Sequence, residues 1–439
     1  MHGYAHIGNY RAFVFNDLLR RHLAFSGYRV TQVMNVTDVE DKIIRKSADQ
    51  GISRAEFVAP FEAAFHEDLR RLRVQPAEVY PRATEHIPEM VALVERLLAA
   101  EHAYQADGDT YFRVASFPEY GRLARLDRAG LRAGARVAQD EYDKESATDF
   151  ALWKAPQPAD AEVGAVWEAP FGRGRPGWHI ECSAMSMRYL GETFDIHCGG
   201  VDLLFPHHEN EIAQSQAATG KPLARFWLHS EHLVQGTGEK MSKSLGNIST
   251  LRELVDAGQD PLAIRYFLIA NAHYRSKLRL DLAALHACGE QVRRLREFAD
   301  RVRDLEPGAE DDPMLVQEAD DVRSHYRAAL DDDLNLPQGL GYVFDLVRLG
   351  NAAMDAGSVG VRGRERLLLL LQDVDAHLDI LTAGEGELSG EEAALIAERE
   401  AARQRRDYGR ADEIRELLRE RGILVEDSKQ GVRWRRDRG

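Results

Sequence analysis

Three side chains in the middle of the chain could bind a metal ion together. Cys182 ends the segment 176–182, and His207 and Glu211 lie four residues apart, which places them on one face of a helix. One thiolate, one imidazole and one carboxylate form a donor set that suits zinc, with a position left open for a substrate. A small buried cysteine and a solvent-exposed helix start explain the same residues, so the spacing alone leaves both interpretations open.

Two glycine-containing segments could bind phosphate groups. Residues 236–247 combine glycines and hydroxyl side chains with Lys240 and Lys243. This composition fits a phosphate clamp, but it also fits an ordinary surface loop. In the turn 6–9, Gly8 would let a nucleotide approach the backbone where a helix begins, and the helix dipole favours phosphate there. Neither segment is specific by itself.

The composition limits the class of protein. The chain has 439 residues, 44% of them hydrophobic, and is too long to fold around one compact core, so we expect two to four domains. The three cysteines, Cys182, Cys198 and Cys288, exclude a disulfide framework and favour a reducing, cytoplasmic compartment. Without a long apolar run or a secretory signal pattern, we expect no membrane partner.

Charge is distributed unevenly along the chain. The formal net charge is −15, whereas residues 399–439 contain 13 basic and 9 acidic residues. Overall acidity argues against a surface that binds nucleic acid everywhere, but the last segment could form a local basic patch.

Alternating helix and strand patterns predict a parallel α/β sheet that would position these side chains at its edge. The sheet should be interrupted by an insertion rich in glycine, proline and charge. In chain order we expect a helix from His6 to Gly27, a strand at 30–36, a helix from near Asp38 to Gly51, the insertion at 115–175, strands at 194–197 and 226–229, and a helix opened by Pro206.

Beyond Asp260, an N-cap followed by proline, the pattern becomes helical. Apolar residues over 285–305 recur every three or four positions and include Cys288, which we therefore expect in a helix core and not at a metal. The leucine run 367–371 predicts another buried helix.

Several segments together resemble a known family. His6-Ile7-Gly8-Asn9 and Lys240-Met241-Ser242-Lys243-Ser244 resemble the two signature motifs of class I aminoacyl-tRNA synthetases, which normally read HIGH and KMSKS. Further segments are similar to the cysteinyl-tRNA synthetase family specifically, and the resemblance covers essentially the whole chain. These segments are 35–42, 149–154, 176–182, 205–211, 273–276 and 410–415.

The resemblance implies an α/β fold with a Rossmann-type parallel sheet, an insertion, an α-helical bundle and a small C-terminal domain. The expected parts are a first half of the catalytic domain, N-terminally incomplete (1–114), a connective insertion (115–175), the second half (176–229), a stem-contact region with the KMSKS loop (230–280), the helical bundle (281–381) and a C-terminal anticodon-binding domain (391–439).

The resemblance also implies a function: ATP-dependent ligation of L-cysteine to tRNA(Cys) through a cysteinyl-adenylate, by a monomer that uses Zn²⁺ and takes ATP with Mg²⁺. A metal–thiolate bond is available to cysteine and poor for serine, so coordination chemistry would discriminate between them. The matching positions are His6, Gly8, Asn9, Lys240, Ser242 and Lys243 for ATP, with His6, Asn9, Lys240 and Lys243 catalytic, Thr37, Trp178 and His197 for the amino acid, and Cys182, His207 and Glu211 for zinc.

The basic C-terminal segment offers phosphate contacts and an aromatic stacking surface for tRNA. A solvated helix with a disordered end is the alternative for this segment. The residues expected to contact tRNA are Arg399, Arg403, Arg406, Arg433, Trp434 and Arg435.

Two features depart from the family pattern. Asn9 replaces the second histidine of the first motif and cannot become cationic, so a slower reaction is expected. The family also has a fourth zinc ligand, a cysteine on a strand before the first motif, which has no counterpart here. We therefore expect that the sequence is N-terminally truncated. If the protein begins where this sequence begins, we expect poor zinc retention and low activity. Cys198 should not substitute, because it follows His197 on a strand and faces the opposite side.

Two other functions stay open on the sequence alone. A cysteine ligase that joins cysteine to an amino-sugar shares the zinc and nucleotide motifs but has no use for an anticodon-binding segment. A non-catalytic tRNA-binding relative would form no adenylate. Cysteine-dependent exchange of labelled pyrophosphate into ATP separates it from both enzymes.

Overall fold

The computed structural model describes residues 2–126, 136–137, 149–235, 250–381, 390–405, 407–421, 423–428 and 431–436. No helix within these ranges combines the length and the apolar character needed to cross a bilayer. The α-helices are α1 (Ile7–Phe25), α2 (Asp41–Gln50), α3 (Arg54–Arg71), α4 (Ile87–Ala99), α5 (Pro158–Glu162), α6 (Trp178–Leu190), α7 (Glu209–Thr219), α8 (Leu251–Asp256), α9 (Pro261–Ala270), α10 (Leu282–Asp304), α11 (Pro313–Asp331), α12 (Leu336–Asp355), α13 (Val361–Leu378), α14 (Gly390–Gln404) and α15 (Tyr408–Glu420).

The strands form several small sheets. They are β1 (Ala103–Ala106), β2 (Asp109–Phe112), β3 (Arg136–Val137), β4 (Asp149–Lys154), β5 (Arg175–Pro176), β6 (Phe194–Gly200), β7 (Ala224–Ser230), β8 (Leu233–Gln235), β9 (Leu278–Leu280), β10 (Ile423–Ser428) and β11 (Gly431–Arg436). The pairs β6–β7 and β8–β9 are parallel, and β10–β11 is an antiparallel hairpin. A sheet in the order β1-β2-β4-β3, with β5 beside β4, follows the first helices.

The strands predicted at 194–197 and 226–229 are present as β6 and β7, which pair in parallel, whereas the strand predicted at 30–36 is wrong. That segment forms only two isolated parallel bridges, Val33 with Val79 and Val36 with Arg82. The next helix begins at Asp41 and not near Asp38, because the Asp38 carboxylate is already used elsewhere. It accepts hydrogen bonds from the backbone N–H (3.0 Å) and hydroxyl (2.6 Å) of Thr84, and it pairs with Arg54.

One continuous apolar core joins α1 to the helices that follow β8. It contains buried residues from α1, α9, α10, α11, α12 and α13. Cys288 lies in this core at 2% exposure, as its place in the apolar stripe of α10 predicts. The leucine run 367–371 lies in α13, with Leu367, Leu370 and Leu371 buried, which confirms the second helical prediction.

A buried ion network crosses the same boundary. Asp17 in α1 accepts hydrogen bonds from Arg265 of α9 (2.5 Å) and from Arg21 (2.8 Å), and both side chains of the Asp17–Arg265 pair are fully buried. Burial by itself would raise the pKa of Asp17, but Arg265 and Arg21 outweigh it and hold this pKa below its ordinary value. The carboxylate therefore stays ionised and locks α1 against α9.

Replacing Asp17 by Asn leaves a buried guanidinium without its counter-ion. We expect the Asp17→Asn chain to lose about 3–5 kcal/mol of unfolding free energy in urea titrations, the usual cost of breaking a buried pair. Asp345→Asn, which removes an exposed pair with Arg348, should cost less than about 1 kcal/mol. Equal losses in the two variants would contradict this account.

The same carboxylate predicts an acid dependence. Because the pKa of Asp17 is lowered in the folded state, its contribution is complete above the ordinary value and is lost as pH falls towards the folded value. The unfolding free energy of the native chain should therefore fall below pH about 4 more steeply than that of Asp17→Asn. Parallel pH profiles would show that Asp17 contributes nothing.

Candidate active site

The helix that carries Cys182 begins directly against β4. The backbone N–H of Gly177 donates to the carbonyl oxygen of Leu152 (2.9 Å), and α6 starts at the next residue, Trp178. A Cβ on Gly177 would come within 2.1 Å of the carbonyl oxygen of Ala151. Only glycine therefore allows this contact, which fixes the first turns of α6.

Helix α7 and the turn before it bring His207 and Glu211 to the same place as Cys182. The ligand atoms of the three side chains all lie within 4.8 Å of one another. Glu211 is 0% exposed and His207 4%, with 3.6 Å between Oε2 of Glu211 and Nε2 of His207. The three residues that the sequence singled out thus form one cluster.

Burial sets the protonation of this cluster. It lowers the pKa of His207 to about 3, so the imidazole is neutral, and with Glu211 and Glu181 it raises the pKa of the Cys182 thiol well above its ordinary value. Burial also opposes ionisation of Glu211, but His197 and His207 keep the pKa of this carboxyl below its ordinary value. A neutral imidazole, a carboxylate and a thiol that a cation would deprotonate fit Zn²⁺.

Further histidines surround the cluster, and sequence reasoning found only one of them. His197, His208 and Glu211 also have ligand atoms within 4.8 Å of one another. His197 Nε2 lies 3.0 Å from Glu211 Oε1, and His208 Nδ1 lies 2.8 Å from His229 Nε2. A usable signal existed: His197 and His229 lie in the two predicted strands, and neighbouring parallel strands bring their carboxyl ends together.

A cleft of about 980 Å³ is lined both by Cys182 of this cluster and by the start of α1. Cys182 and His197 line one part of it, and Gly8 and Asn9 line another. Cys198 lines the cleft as well, but within the described ranges it belongs to neither group of possible ligands. The two sets of residues that the sequence analysis treated separately therefore share one cavity.

The three residues expected around the amino acid are all half-buried, but of the three His197 alone lines the cleft. The ring of Trp178 is 4.4 Å from the ring of His207, and His197 contacts Glu211 as described. Thr37 is half-buried, and its hydroxyl accepts a hydrogen bond from Asn35 (3.3 Å). Neither Trp178 nor Thr37 is among the described residues that line the cleft.

The turn at the start of α1 is closely packed. The backbone N–H of His6 donates to Oδ1 of Asn9 (3.1 Å), which closes the first turn. A Cβ on Gly8 would lie 3.0 Å from Nδ1 of His6 and 3.5 Å from Cβ of Leu233 in β8. His6 also forms an isolated bridge with Thr250. The turn therefore lies next to Leu233 and Thr250, which precede and follow residues 236–249 in the sequence.

Several predicted site residues fall outside the described part of the chain. They are Lys240, Ser242, Lys243 and Arg406, together with the side chains of Arg433 and Arg435.

The basic C-terminal segment differs from its prediction at Arg399. This residue is 2% exposed and shares a buried face of α14 with Ala402, so its guanidinium is not available to a phosphate group. Arg403 is exposed. Trp434 of β11 is half-buried and packs against the cluster around Ile414, which limits its use as a stacking surface.

Comparisons with known proteins show which class of proteins shares this fold. Models for the tRNA synthetases class I (C) catalytic domain, the DALR domain and the cysteinyl-tRNA ligase anticodon binding domain match residues 1–289, 325–374 and 385–435. A Mycobacterium tuberculosis methionyl-tRNA synthetase bound by methionyl-adenylate is 15% identical with a TM-score of 0.62, and the similarity covers 90% of this chain and 92% of the other. A putative arginyl-tRNA synthetase from Campylobacter jejuni is 14% identical with a TM-score of 0.54, covering 86% and 88%. The fold is that of a class I aminoacyl-tRNA synthetase.

Closer relatives narrow the class to one family. A cysteine--tRNA ligase from Solibacter usitatus is 48% identical over 99% of this chain and 93% of its own length. Those from Brachyspira hyodysenteriae and Chlamydia pneumoniae are 44% and 45% identical, covering 99% and 98% of this chain and 93% and 91% of their own lengths. The chain belongs to the family of cysteine--tRNA ligases and is an enzyme of class I.

The cluster predicts a metal affinity that depends on one thiol. In competition with a chromophoric chelator, Cys182→Ala should bind Zn²⁺ more than about 100-fold more weakly, because losing a ligand exceeds the loss caused by an outer-shell partner. Cys198→Ala removes a thiol that lines the same cleft and should leave the affinity within about threefold, since no ligand is lost. Equal affinities in the two variants would exclude Cys182 as a ligand.

Proposed function

We propose that this chain ligates L-cysteine to tRNA(Cys) in two steps through a cysteinyl-adenylate, with Zn²⁺ bound by Cys182, His207 and Glu211. The observation that carries the proposal is the shared cleft, which Cys182 and His197 line together with Gly8 and Asn9. An amino acid held by the first pair would present its carboxylate towards a nucleotide held by the second.

The donor set supports zinc as the resident ion. One soft thiol sulfur and one neutral imidazole nitrogen favour Zn²⁺ over Mg²⁺, which requires oxygen ligands. A bound zinc ion would supply a Lewis-acidic centre with affinity for the substrate thiol. Glu211 is fully buried and contacts His197, so its carboxylate is held in place as an oxygen ligand beside Cys182 and His207.

The start of α1 supports the nucleotide site. Gly8 has no side chain to obstruct a phosphate group, and the backbone N–H groups of the first turn provide donors there. In the first step a carboxylate oxygen of cysteine attacks the α-phosphorus of ATP, the bond to the bridging oxygen breaks, and pyrophosphate leaves. His6, together with Lys240 and Lys243, would stabilise the charge that develops on the phosphate oxygens.

In the second step a ribose hydroxyl at the 3′ end of tRNA attacks the adenylate carbonyl. An ester forms and AMP leaves with the bonding electrons. The match of residues 385–435 to an anticodon-binding domain favours tRNA over an amino-sugar as the acceptor. Among the described arginine side chains that the sequence assigns to tRNA binding, Arg403 is exposed and is the candidate for a phosphate contact. We expect a monomer that acts in the cytoplasm, where all three cysteines, none in a disulfide, stay reduced.

The decisive test compares cysteine with serine in amino-acid-dependent exchange of labelled pyrophosphate into ATP. We expect a preference for cysteine of roughly 10⁴-fold, the scale reached when a substrate lacks the group for which a site is built. His207→Ala should lose most of this preference, whereas His286→Ala, at an exposed position in the distant α10, should keep it.

The outcomes separate the alternatives. Cysteine-dependent exchange followed by charging of tRNA supports the proposal. If the chain instead acylates an amino-sugar and not tRNA, it is a cysteine:amino-sugar ligase and the proposal is wrong. If His207→Ala retains the full preference for cysteine, the metal does not select the substrate.

A further inference from the structure

Arg11 is a buried cation for which the site described above gives no role. It lies two residues after Asn9 in α1 and is 1% exposed. A buried guanidinium costs free energy unless its donors find acceptors. Arg11 finds three, all backbone carbonyl oxygens: Nη1 donates to His232 (2.8 Å), and Nη2 donates to His273 (3.2 Å) and to Ser276 (2.5 Å).

These carbonyl groups belong to the segments that lead into two paired strands. His232 directly precedes β8, and residues 273–276 precede β9, which is parallel to β8. The carbonyl oxygen of His232 also accepts the backbone N–H of Leu278 (3.1 Å). One side chain of α1 therefore holds the entry points of both strands. The ring of Phe15, one turn further along α1, stacks on Tyr274 (4.2 Å) and reinforces the contact.

This attachment involves residues of the cleft itself. Gly8 and Asn9, which precede Arg11 in the chain, and His232, which Arg11 binds, all line the cleft. We propose that Arg11 is a positioning residue for adenylate formation: by binding three carbonyl groups, it fixes the turn 6–9 relative to the entries of β8 and β9 and so holds the phosphate-binding start of α1 in place in the cleft.

Arginine is specifically suited to this role. Its planar fork supplies donors in several fixed directions, whereas a lysine ammonium is a point charge on a flexible stem. Burial lowers the pKa of Arg11 to about 10, with Glu231 opposing the shift, so the side chain stays charged at neutral pH. Lysine would keep the charge but could not hold all three carbonyl groups in the same geometry.

The inference rests on the proposed function, and its test uses the full chain in cysteine-dependent pyrophosphate exchange. Arg11→Lys and Arg11→Gln should lower kcat/KM for ATP by at least about tenfold, because misaligned reacting groups cost rate steeply. The KM for cysteine and the zinc content should stay within about twofold, since the metal cluster does not depend on this contact.

Arg265→Lys is the matched control. Arg265 is equally buried and also donates to backbone carbonyls, those of Leu378 (2.6 Å) and Leu72 (3.0 Å), but it lies at the junction with the bundle. The Arg265→Lys variant should have a lower melting temperature without a selective change in kcat/KM for ATP. If Arg11→Lys behaves in the same way, or if the parameters for ATP and cysteine fall together, Arg11 is merely structural and the inference is wrong.

A second measurement keeps this inference distinct from the proposed function. ATP alone should raise the melting temperature of the native chain and raise that of Arg11→Lys much less. If the native chain shows no exchange but ATP stabilises it in this Arg11-dependent way, the proposed reaction fails while Arg11 still organises the nucleotide site. If ATP stabilises both chains equally, or neither, the inference is overturned.

Discussion

The carboxylate of Glu211 is fully buried, and the active-site end of the protein is arranged around the cost of burying it. An isolated buried charge costs several kcal/mol unless hydrogen bonds and opposite charges compensate. His197 contacts it from β6, His207 from the turn before α7, and Cys182 approaches from α6. Three elements, β6, α6 and the turn before α7, therefore meet at this buried carboxylate.

Helix α1 connects this end of the molecule to the helical bundle. Its first turn lines the cleft, and Arg11, one turn further on, holds the entries to β8 and β9. Asp17 follows with its buried pair to Arg265, and His22 lies 3.2 Å from His377 of α13. Each contact is polar, directional and buried, so α1 has little freedom to rotate or slide. A change in the position of the bundle would therefore reach the cleft mainly through this helix.

The sequence predicted most of this arrangement, and its failures have physical causes. Periodicity placed Cys288 correctly, because a helix core depends on local spacing. It could not show that residues 30–36 lack a strand ladder, since pairing depends on distant partners, nor that Thr84 uses the carboxylate of Asp38. The burial of Arg399 was hidden because an arginine in a short amphipathic helix fits either face. Residues 6–9, in contrast, were correctly placed at a helix start, because a capping turn is encoded within four residues.

The proposed reaction would require two cations, and the side chains around Glu211 suit only one of them. Burial lowers the pKa of His208 well below its ordinary value and lowers that of His229 to about 4. At neutral pH the imidazoles of His207, His208 and His229 are therefore neutral. Mg²⁺ requires oxygen ligands, and such a site offers few of them. Magnesium would follow the phosphate groups of ATP towards the start of α1, whereas an ion that accepts nitrogen and sulfur would stay beside Cys182. In the proposed reaction, the burial that makes Glu211 costly would thus keep the two cations at opposite ends of the cleft.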